Sequence, residues 1–426
     1  MALNYIWIGF FVVAFIVALV KLIGYYFREE LAQYGMIFTE ADLHVFNDMV
    51  EMTFSMAQTS VEISIYLIGV MALWLGIMKI GEEGGATNYL SRMLSPFFRK
   101  LFPEIPANHP AQGAMVMNFS ANMLGLDNAA TPLGLKAMKE MQTLNKSNDT
   151  ASNAQIMFIV LNTSGLTIIP VSVMALRMAQ GAENPSDIFL PILITTYFST
   201  LAGLIAVSIV QKINLFNKTV LLYLGGASAL ILGLYAYISS LPTEQASKVS
   251  LAAGNMIIFT LIVTFILLAL RKKVNVYEAF ITGAKEGFEV AVKIIPYLVA
   301  MLVAIGVFRA SGAMDYLIQG MGFLFAAVGL NTDFVPALPT AIMKPLSGSG
   351  ARGMMVEAME TYGADSFVGK LASTLQGSTE TTFYTLAVYF GAVNIMKTRH
   401  ALACGLIADL TGIVVAIVIA YTMFGG

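Results

Sequence analysis

Four short stretches of the 426-residue chain set polar side chains inside runs that are otherwise apolar. The first is Gly125-Leu-Asp-Asn-Ala-Ala-Thr-Pro132, preceded by Asn118 and Asn122, and it offers Asn122, Asp127, Asn128 and Thr131. The second, Asn162-Thr-Ser-Gly165, offers Asn162, Thr163 and Ser164, with Thr167 and Pro170 just beyond. The third, Lys344-Pro-Leu-Ser-Gly-Ser-Gly-Ala-Arg-Gly353, offers Lys344, Ser347, Ser349 and Arg352. The fourth, Gln376-Gly-Ser-Thr-Glu-Thr-Thr382, offers Gln376, Ser378, Thr379, Glu380 and Thr381. Amides and hydroxyls at membrane depth are costly unless they satisfy one another or a ligand, and a carboxylate there is a candidate proton carrier, cation ligand or substrate anchor. The chemistry expected of such a set is the binding of a small polar solute, with Lys344 and Arg352 suited to an anionic group. Each stretch has a plainer reading: interhelical hydrogen bonds that hold a bundle, a proline kink with hydroxyl back-bonding, a salt bridge from Glu380 to Lys344 or Arg352, or a tight turn whose basic residues snorkel to water.

Catalysis finds no support. The single cysteine, Cys404, excludes a disulfide framework and a cysteine-based metal cluster, and His44, His109 and His400 lie far apart. No enzyme, resident cofactor or metal is expected; the one accessory species is a coupling cation, Na⁺ or H⁺. A net charge of −2 gives no reason to expect nucleic acid. Gly348 to Gly353 matches G-x-G-x-x-G formally, yet no βαβ unit surrounds it. The stretch 363–370 is one residue too long for a P-loop, and Leu371 stands where Ser or Thr belongs. Energy, if it is used, comes from an ion gradient.

The elements that must hold these stretches are membrane helices. Hydrophobic residues make up 57% and charged residues 12% of the chain, about half the roughly 25% charged usage of soluble domains. Apolar runs of spanning length lie at 5–26, 63–80, 188–211, 219–240, 251–270, 290–308 and 402–424. The first lacks a basic n-region and a cleavage site and reads as a retained span. The polar stretches interrupt four other apolar runs, at 111–144, 153–179, 335–362 and 367–393. Irregular backbone at membrane depth is tolerated only where it is buried in protein or lines a wet cavity. The runs 111–144 and 335–362 read as re-entrant hairpins and the other two as broken crossing helices, with the site between them.

The halves resemble each other. Residues 62–90 align without gaps on 289–317, pairing Glu62 with Glu289, Gly85-Ala86 with Gly312-Ala313 and Tyr89-Leu90 with Tyr316-Leu317. The order of span, amphipathic stretch, span, second amphipathic stretch, hairpin, broken helix and span repeats, with amphipathic pairs at 41–57 and 277–286 and at 87–102 and 315–328. Each half then crosses four times, and the extra span between them makes the total odd, which inverts the second half. The expectation is an all-α polytopic membrane protein of two inverted repeats with nine crossings: 1–212, a linker transmembrane helix in 213–248, and 249–426. Placing the N-terminus in the cytoplasm and the C-terminus outside puts 15 of the 24 Lys and Arg residues on the cytoplasmic side, in line with the positive-inside rule.

These motifs resemble known families. Leu126-Asp-Asn-Ala-Ala-Thr-Pro-Leu-Gly-Leu-Lys-Ala-Met138 and Asn162-Thr-Ser-Gly-Leu-Thr-Ile-Ile-Pro170 resemble the spore maturation protein A family. Lys285-Glu-Gly287, Ile295-Pro-Tyr-Leu-Val-Ala-Met-Leu-Val-Ala304, Gln376-Gly-Ser-Thr-Glu-Thr-Thr-Phe-Tyr384 and Val388-Tyr-Phe-Gly-Ala-Val393 resemble the spore maturation protein B family. The chain thus looks like a natural A–B fusion within the Gate, nucleoside-recognition, group. That resemblance implies a bacterial inner-membrane location and an architecture similar to concentrative nucleoside transporters, whose substrate and cation sit between two hairpin tips and two unwound helices. The nucleoside carriers' own binding motifs are not matched residue by residue, so their specificity is not carried over. The function expected is a permease for a small polar solute, working in the lipid bilayer and able to assemble as a homo-oligomer. The other reading is a non-transporting scaffold or sensor that acts on envelope or spore-core physiology through a partner.

Overall fold

The structure, a computed structural model, describes residues 2–106, 108–124, 127–241 and 243–425; side chains at 2, 3, 127–129, 243, 244, 246, 247 and 250 are outside that description. Every regular element is helical, and the one β-type contact among the described residues is an isolated parallel bridge between Thr150 and Lys397. The chain runs α1 (Ala2–Tyr26), α2 (Arg28–Ala32), α3 (Glu40–Gly84), α4 (Ala86–Leu101), α5 (Pro110–Met123), α6 (Asp127–Gln142), α7 (Asn153–Ser164), α8 (Val171–Ala179) and α9 (Phe189–Gln211). A connecting helix, α10 (Lys218–Ser239), leads to α11 (Thr243–Arg271), α12 (Val276–Ala310), α13 (Ala313–Ala327), α14 (Leu338–Leu346), α15 (Gly348–Tyr362), α16 (Phe367–Gly377), α17 (Thr382–Gly391) and α18 (Ala401–Met423). Seven of these helices are long and apolar enough to cross a membrane: α1, α3, α9, α10, α11, α12 and α18. They coincide with the seven apolar runs read from the sequence. Three of the four expected interruptions are present as helix ends, at 165–170, at Ser347 and at 378–381; of the first, at 125–132, residues from Asp127 onward are helical in α6, and 125–126 lie outside the described residues.

One expectation is corrected. The amphipathic stretches at 41–57 and 277–286 do not form separate helices; each continues unbroken into the span that follows it, as α3 and α12. In α3 no glycine or proline separates the polar-faced and apolar parts, and α12 stays helical across Gly283, Gly287 and Pro296. At 1.5 Å per residue the 45 residues of α3 extend about 67 Å and the 35 of α12 about 52 Å, well beyond a hydrocarbon core of about 30 Å. Their boundaries have clear causes. Thr39 and Asp42 form a capping box at the start of α3, with the Thr39 amide donating to Asp42 at 2.8 Å. Gly85 and Gly312 terminate the two helices in the left-handed region, at φ 84° and 85°, where a side chain is disfavoured. The same two glycines stood opposite each other in the alignment of the halves.

α3 and α12 form the most extensive helix pair in the molecule. Gly76 lies against Phe280, Gly283 against Leu75 and Lys79, Gly287 against Met71 and Ala72, and Gly306 against Met52 and Met56. As numbers rise along α12 they fall along α3, so the pair is antiparallel. α9 and α18 behave alike: Ser199 and Gly203 meet Ala408, while Gln211 at the far end of α9 meets His400 at the start of α18. The missing side chains at positions 283 and 287 let the backbones approach, which is how helices associate where no hydrophobic effect drives them together. A Cβ on Gly287 would stand 2.7 Å from the Ala72 backbone, against nothing within 4 Å for one on Gly225 of α10. We therefore expect Gly287→Val to lower the unfolding free energy in mixed micelles by roughly 1–3 kcal/mol, as overpacking does, and Gly225→Val to leave it nearly unchanged; equal effects would disprove the close-packed seam.

Candidate functional site

The two broken helices are built alike. α7 starts on a capping box, with Ser152 accepting from the Gln155 amide at 3.3 Å, and ends at Gly165 with φ 58°. Residues 166–170 are unwound, and Pro170, which has no amide hydrogen, closes the break before α8. α16 starts on Ser366, which accepts from the Gly369 amide at 3.0 Å, and ends at Gly377; residues 378–381 are unwound before α17. Both breaks release backbone groups that must be satisfied inside the protein. They satisfy one another: the Glu380 amide donates to the Thr163 carbonyl at 2.8 Å, and the Ile168 amide donates to Met123 of the first hairpin at 2.8 Å. A Cβ on Gly165 would sit 3.1 Å from Glu380, so positive φ and contact with the opposite break both require glycine there.

The broken helices also run antiparallel. The segment entering α7 pairs with the segment leaving α17: Met396 and Lys397 amides donate to Asp149, Ala151 donates to Lys397, and Arg399 donates to Ala151 at 3.0 Å. Lys397 holds Asp149 at 2.8 Å and, with the Thr150 and Ser147 hydroxyls, pulls its carboxyl down to about 2. That contribution is present above the ordinary aspartate value and is lost as pH falls through about 2. At the opposite end the segment leaving α8 pairs with the segment entering α16. Arg177, fully buried, binds Asp187 and Asp365 at 3.0 Å each and donates to the Ala364 carbonyl at 2.7 Å, while Lys370 binds Asp187 at 3.0 Å.

The hairpins close the site from two further sides. In the first, Asn118 ties α5 to α6 through the Ala130 carbonyl at 2.8 Å, and Asn122 donates to Asn162 at 2.8 Å, fixing the hairpin to the first break. In the second, the chain turns at Ser347, whose hydroxyl caps α15 through the Gly350 amide at 3.0 Å and pairs with Ser349 at 3.2 Å. Its tip abuts the second break, since a Cβ on Gly348 would stand 2.8 Å from the Thr381 hydroxyl.

A cavity of about 730 Å³ lies between these four elements. Asn122 and Thr131 line it from the first hairpin, Asn162 from the first break, Lys344, Ser347, Ser349 and Arg352 from the second hairpin, and Gln376, Thr379, Glu380 and Thr381 from the second break. Thr163, Ser164 and Ser378 are not on its wall. They lie behind it, their hydroxyls donating back to carbonyls of Val160, Leu161 and Leu375. The side chains of Asp127 and Asn128 lie outside the described residues. Glu380 is exposed to the cavity and makes no ion pair with Arg352 among the described residues. Two buried atoms of the wall residues, Arg352 Nε and Gln376 Oε1, have no hydrogen-bond partner among the described residues. Buried polar groups are ordinarily paired, so these two are open to a further partner.

Sequence reasoning passed over two contributions. Tyr297 of α12 and Phe383, Tyr384 and Tyr389 of α17 give the cavity an aromatic side. Asp409, in the middle of α18, sits directly behind the second break, 2% exposed, with Oδ2 accepting from the Thr382 hydroxyl at 2.7 Å. The signal was available, because Asp409 is the one charged residue in the apolar run Ala401–Met423.

Many apolar helices of spanning length, with two broken helices around a polar cavity, define a multi-pass helical membrane protein. The chain belongs to the Gate family, described as nucleoside recognition, whose pattern matches residues 64–180 and again 291–396. It is 52% identical over 154 residues to spore maturation protein B of Bacillus subtilis (strain 168), a match covering 36% of this chain and 85% of that protein. It is 43% identical over 171 residues to spore maturation protein A of the same organism, covering 40% of this chain and 87% of that protein. The two matches are consistent with an A/B fusion. No solved structure matches the chain.

The buried junction at Arg177 should matter more than the exposed one at Asp149. We expect Arg177→Met to cost about 3 kcal/mol of unfolding free energy, the low end for breaking a buried pair because Lys370 still neutralises Asp187 and Asp365 is partly exposed. Lys397→Met should shift the same transition far less. The reverse ranking in a denaturant titration would contradict the assignment of the two junctions.

Proposed function

We propose that the protein is an ion-coupled secondary transporter for a small polar solute bearing an anionic group, held between the two hairpin tips and the two breaks. The observation that carries this reading is the cavity itself, where Lys344 and the unpartnered Arg352 Nε face Gln376, Glu380 and the aromatic side. Cations on one wall orient an anionic group, the amides and hydroxyls take the neutral polar edge, and the rings offer stacking area. Backbone amides at the start of α15 add to the field at the anion end.

The antiparallel pairing of α3 with α12, of α9 with α18 and of the two broken helices supports two inverted repeats in the manner of concentrative nucleoside transporters. The seven long helices and the two broken ones then give nine crossings, with the N-terminus in the cytoplasm and the C-terminus outside a bacterial inner membrane. Such an arrangement suits alternating access, in which one repeat moves against the other around a central site. The nucleoside-recognition name belongs to the family, and a nucleoside is one member of the test panel rather than the assigned substrate.

The test is thermal unfolding of the purified protein with nucleosides, nucleobases, amino acids and small dicarboxylates, followed by uptake of any stabilising compound into proteoliposomes. A ligand at about 100 times its Kd should add about 2.7 kcal/mol. The shift should vanish in Arg352→Gln and weaken in Glu380→Gln. Stabilisation without uptake in liposomes under an imposed ion gradient would favour a sensor, and the absence of any stabilisation would overturn the transport reading.

A further inference from the structure

Among the described residues, Asp409 is the most deeply buried carboxylate near the cavity. One face of α18 carries Gly405, Asp409 and Gly412 at helical spacing. A Cβ on Gly405 would stand 3.0 Å from Thr382, and one on Gly412 would stand 3.0 Å from Thr379 and 3.4 Å from the Ser378 carbonyl. The two glycines let the second break lie against the helix, and the carboxylate between them reaches the break. Asp409 Oδ2 takes the Thr382 hydroxyl, and the Thr379 hydroxyl stands beside the group. Oδ1 is buried with no well-formed hydrogen bond among the described residues. Thr379 is also a wall residue of the cavity, so one side chain separates Asp409 from the bound solute.

The charged surroundings of Asp409 are sparse. α7, α9 and α17 contribute no charged side chain to the packing around α18. Lys370, the one on α16, is engaged with Asp187. Those of α10 and α11 lie near the helix ends. Glu380 of the unwound segment faces the cavity, and Tyr384 and Tyr389 of α17 are wall residues. Among the described residues, the cation that acts on Asp409 is Lys344 of α14, a helix that packs against α18; Lys344 is 6% exposed and itself on the cavity wall.

We infer that Asp409 is the proton-binding site that couples to solute binding, with Lys344 shared between the Asp409 carboxylate and the anionic group of the solute. In the empty protein the Lys344 charge offsets the buried carboxylate. When an anion engages Lys344 and Arg352, that offset is drawn toward the solute, and a buried carboxylate without a counter-charge is unfavourable. Asp409 then takes one proton from water, its free oxygen becoming a hydroxyl, and gives it back when the anion leaves. One proton moves with each anion, and the positive charge of Lys344 disfavours a sodium ion at the same place. The coupling role rests on the transport reading; the exchange of Lys344 between Asp409 and an anion does not.

The experiment is infrared difference spectroscopy on the purified full-length protein at neutral pH, using choline sulfate as the anion because sulfate does not buffer there. Wild type should gain about one protonated-carboxyl band per chain on adding sulfate, with about one proton taken up from an indicator dye. The band should be present without sulfate in Lys344→Gln, and absent under both conditions in Asp409→Asn, which keeps an acceptor for Thr382. Asp409→Glu, should the asparagine variant fold poorly, should move the band without abolishing it. A Lys344→Gln protein with no carboxyl band, or a sulfate-induced band that survives Asp409→Asn, overturns the inference. So does a Lys344→Gln band that disappears when choline is replaced by sodium, since that would make the site a sodium site. A band that follows this pattern in a protein that carries no member of the solute panel into liposomes would sink the transport reading alone.

Discussion

The structure depends on one constraint: backbone groups freed at membrane depth have no water to turn to. A helix that ends inside a bilayer leaves up to four amides or four carbonyls open. Here α7 and α16 end opposite one another, and the Glu380 amide takes the Thr163 carbonyl. The first hairpin supplies a carbonyl to Ile168, and the second brings its serine-capped tip to Thr381. Each of these irregular segments thus packs or hydrogen-bonds against another. The polar cavity is the space left once these obligations have been met. Among the described residues, the groups left without a partner on its wall, Arg352 Nε and Gln376 Oε1, belong to side chains rather than to the backbone.

The surrounding helices answer the same constraint by geometry. α3 and α12 are continuous far beyond the length a span requires, and they pack antiparallel over glycines that admit the opposing backbone. A close-packed seam of this kind gives the irregular elements a frame to pack against. The two ends of the broken helices are held differently, by a buried arginine network at one end and by an exposed backbone junction at the other. Buried ion pairs are weak contributors to stability but costly to break, whereas an exposed pair opens readily. The molecule is therefore more firmly stapled on the Arg177 side of the cavity than on the Asp149 side.

Much of this was legible in the residues. Span positions followed from apolar length, and three breaks followed from glycine, proline and hydroxyl residues where an apolar run should have continued. The wall residues Asn122, Asn162, Lys344, Arg352 and Glu380 were visible because each is polar within such a break. What escaped notice escaped for physical reasons. The amphipathic stretches at 41–57 and 277–286 differ in hydropathy from the spans that follow them, and a change in hydropathy does not by itself end a helix. Thr163, Ser164 and Ser378 share the composition of the wall but turn inward to their own helices, a rotamer choice that composition does not encode. The four aromatic residues and Asp409 sit outside the breaks, on helices that look ordinary until the fold presses them against the site.

The connecting helix α10 packs mainly at the periphery, against α4, α11 and α18. Yet the cavity draws Asn122 and Asn162 from before it, and Lys344, Arg352 and Glu380 from after it. A chamber with walls from both halves exists only when they are present in equal numbers and find each other. A covalent tether fixes that ratio at one to one and turns their meeting into an intramolecular event, governed by effective concentration rather than by how much of each half the cell makes. The cell that carries this chain thus regulates one gene product where two separate polypeptides would demand matched synthesis and a successful encounter in the plane of the membrane.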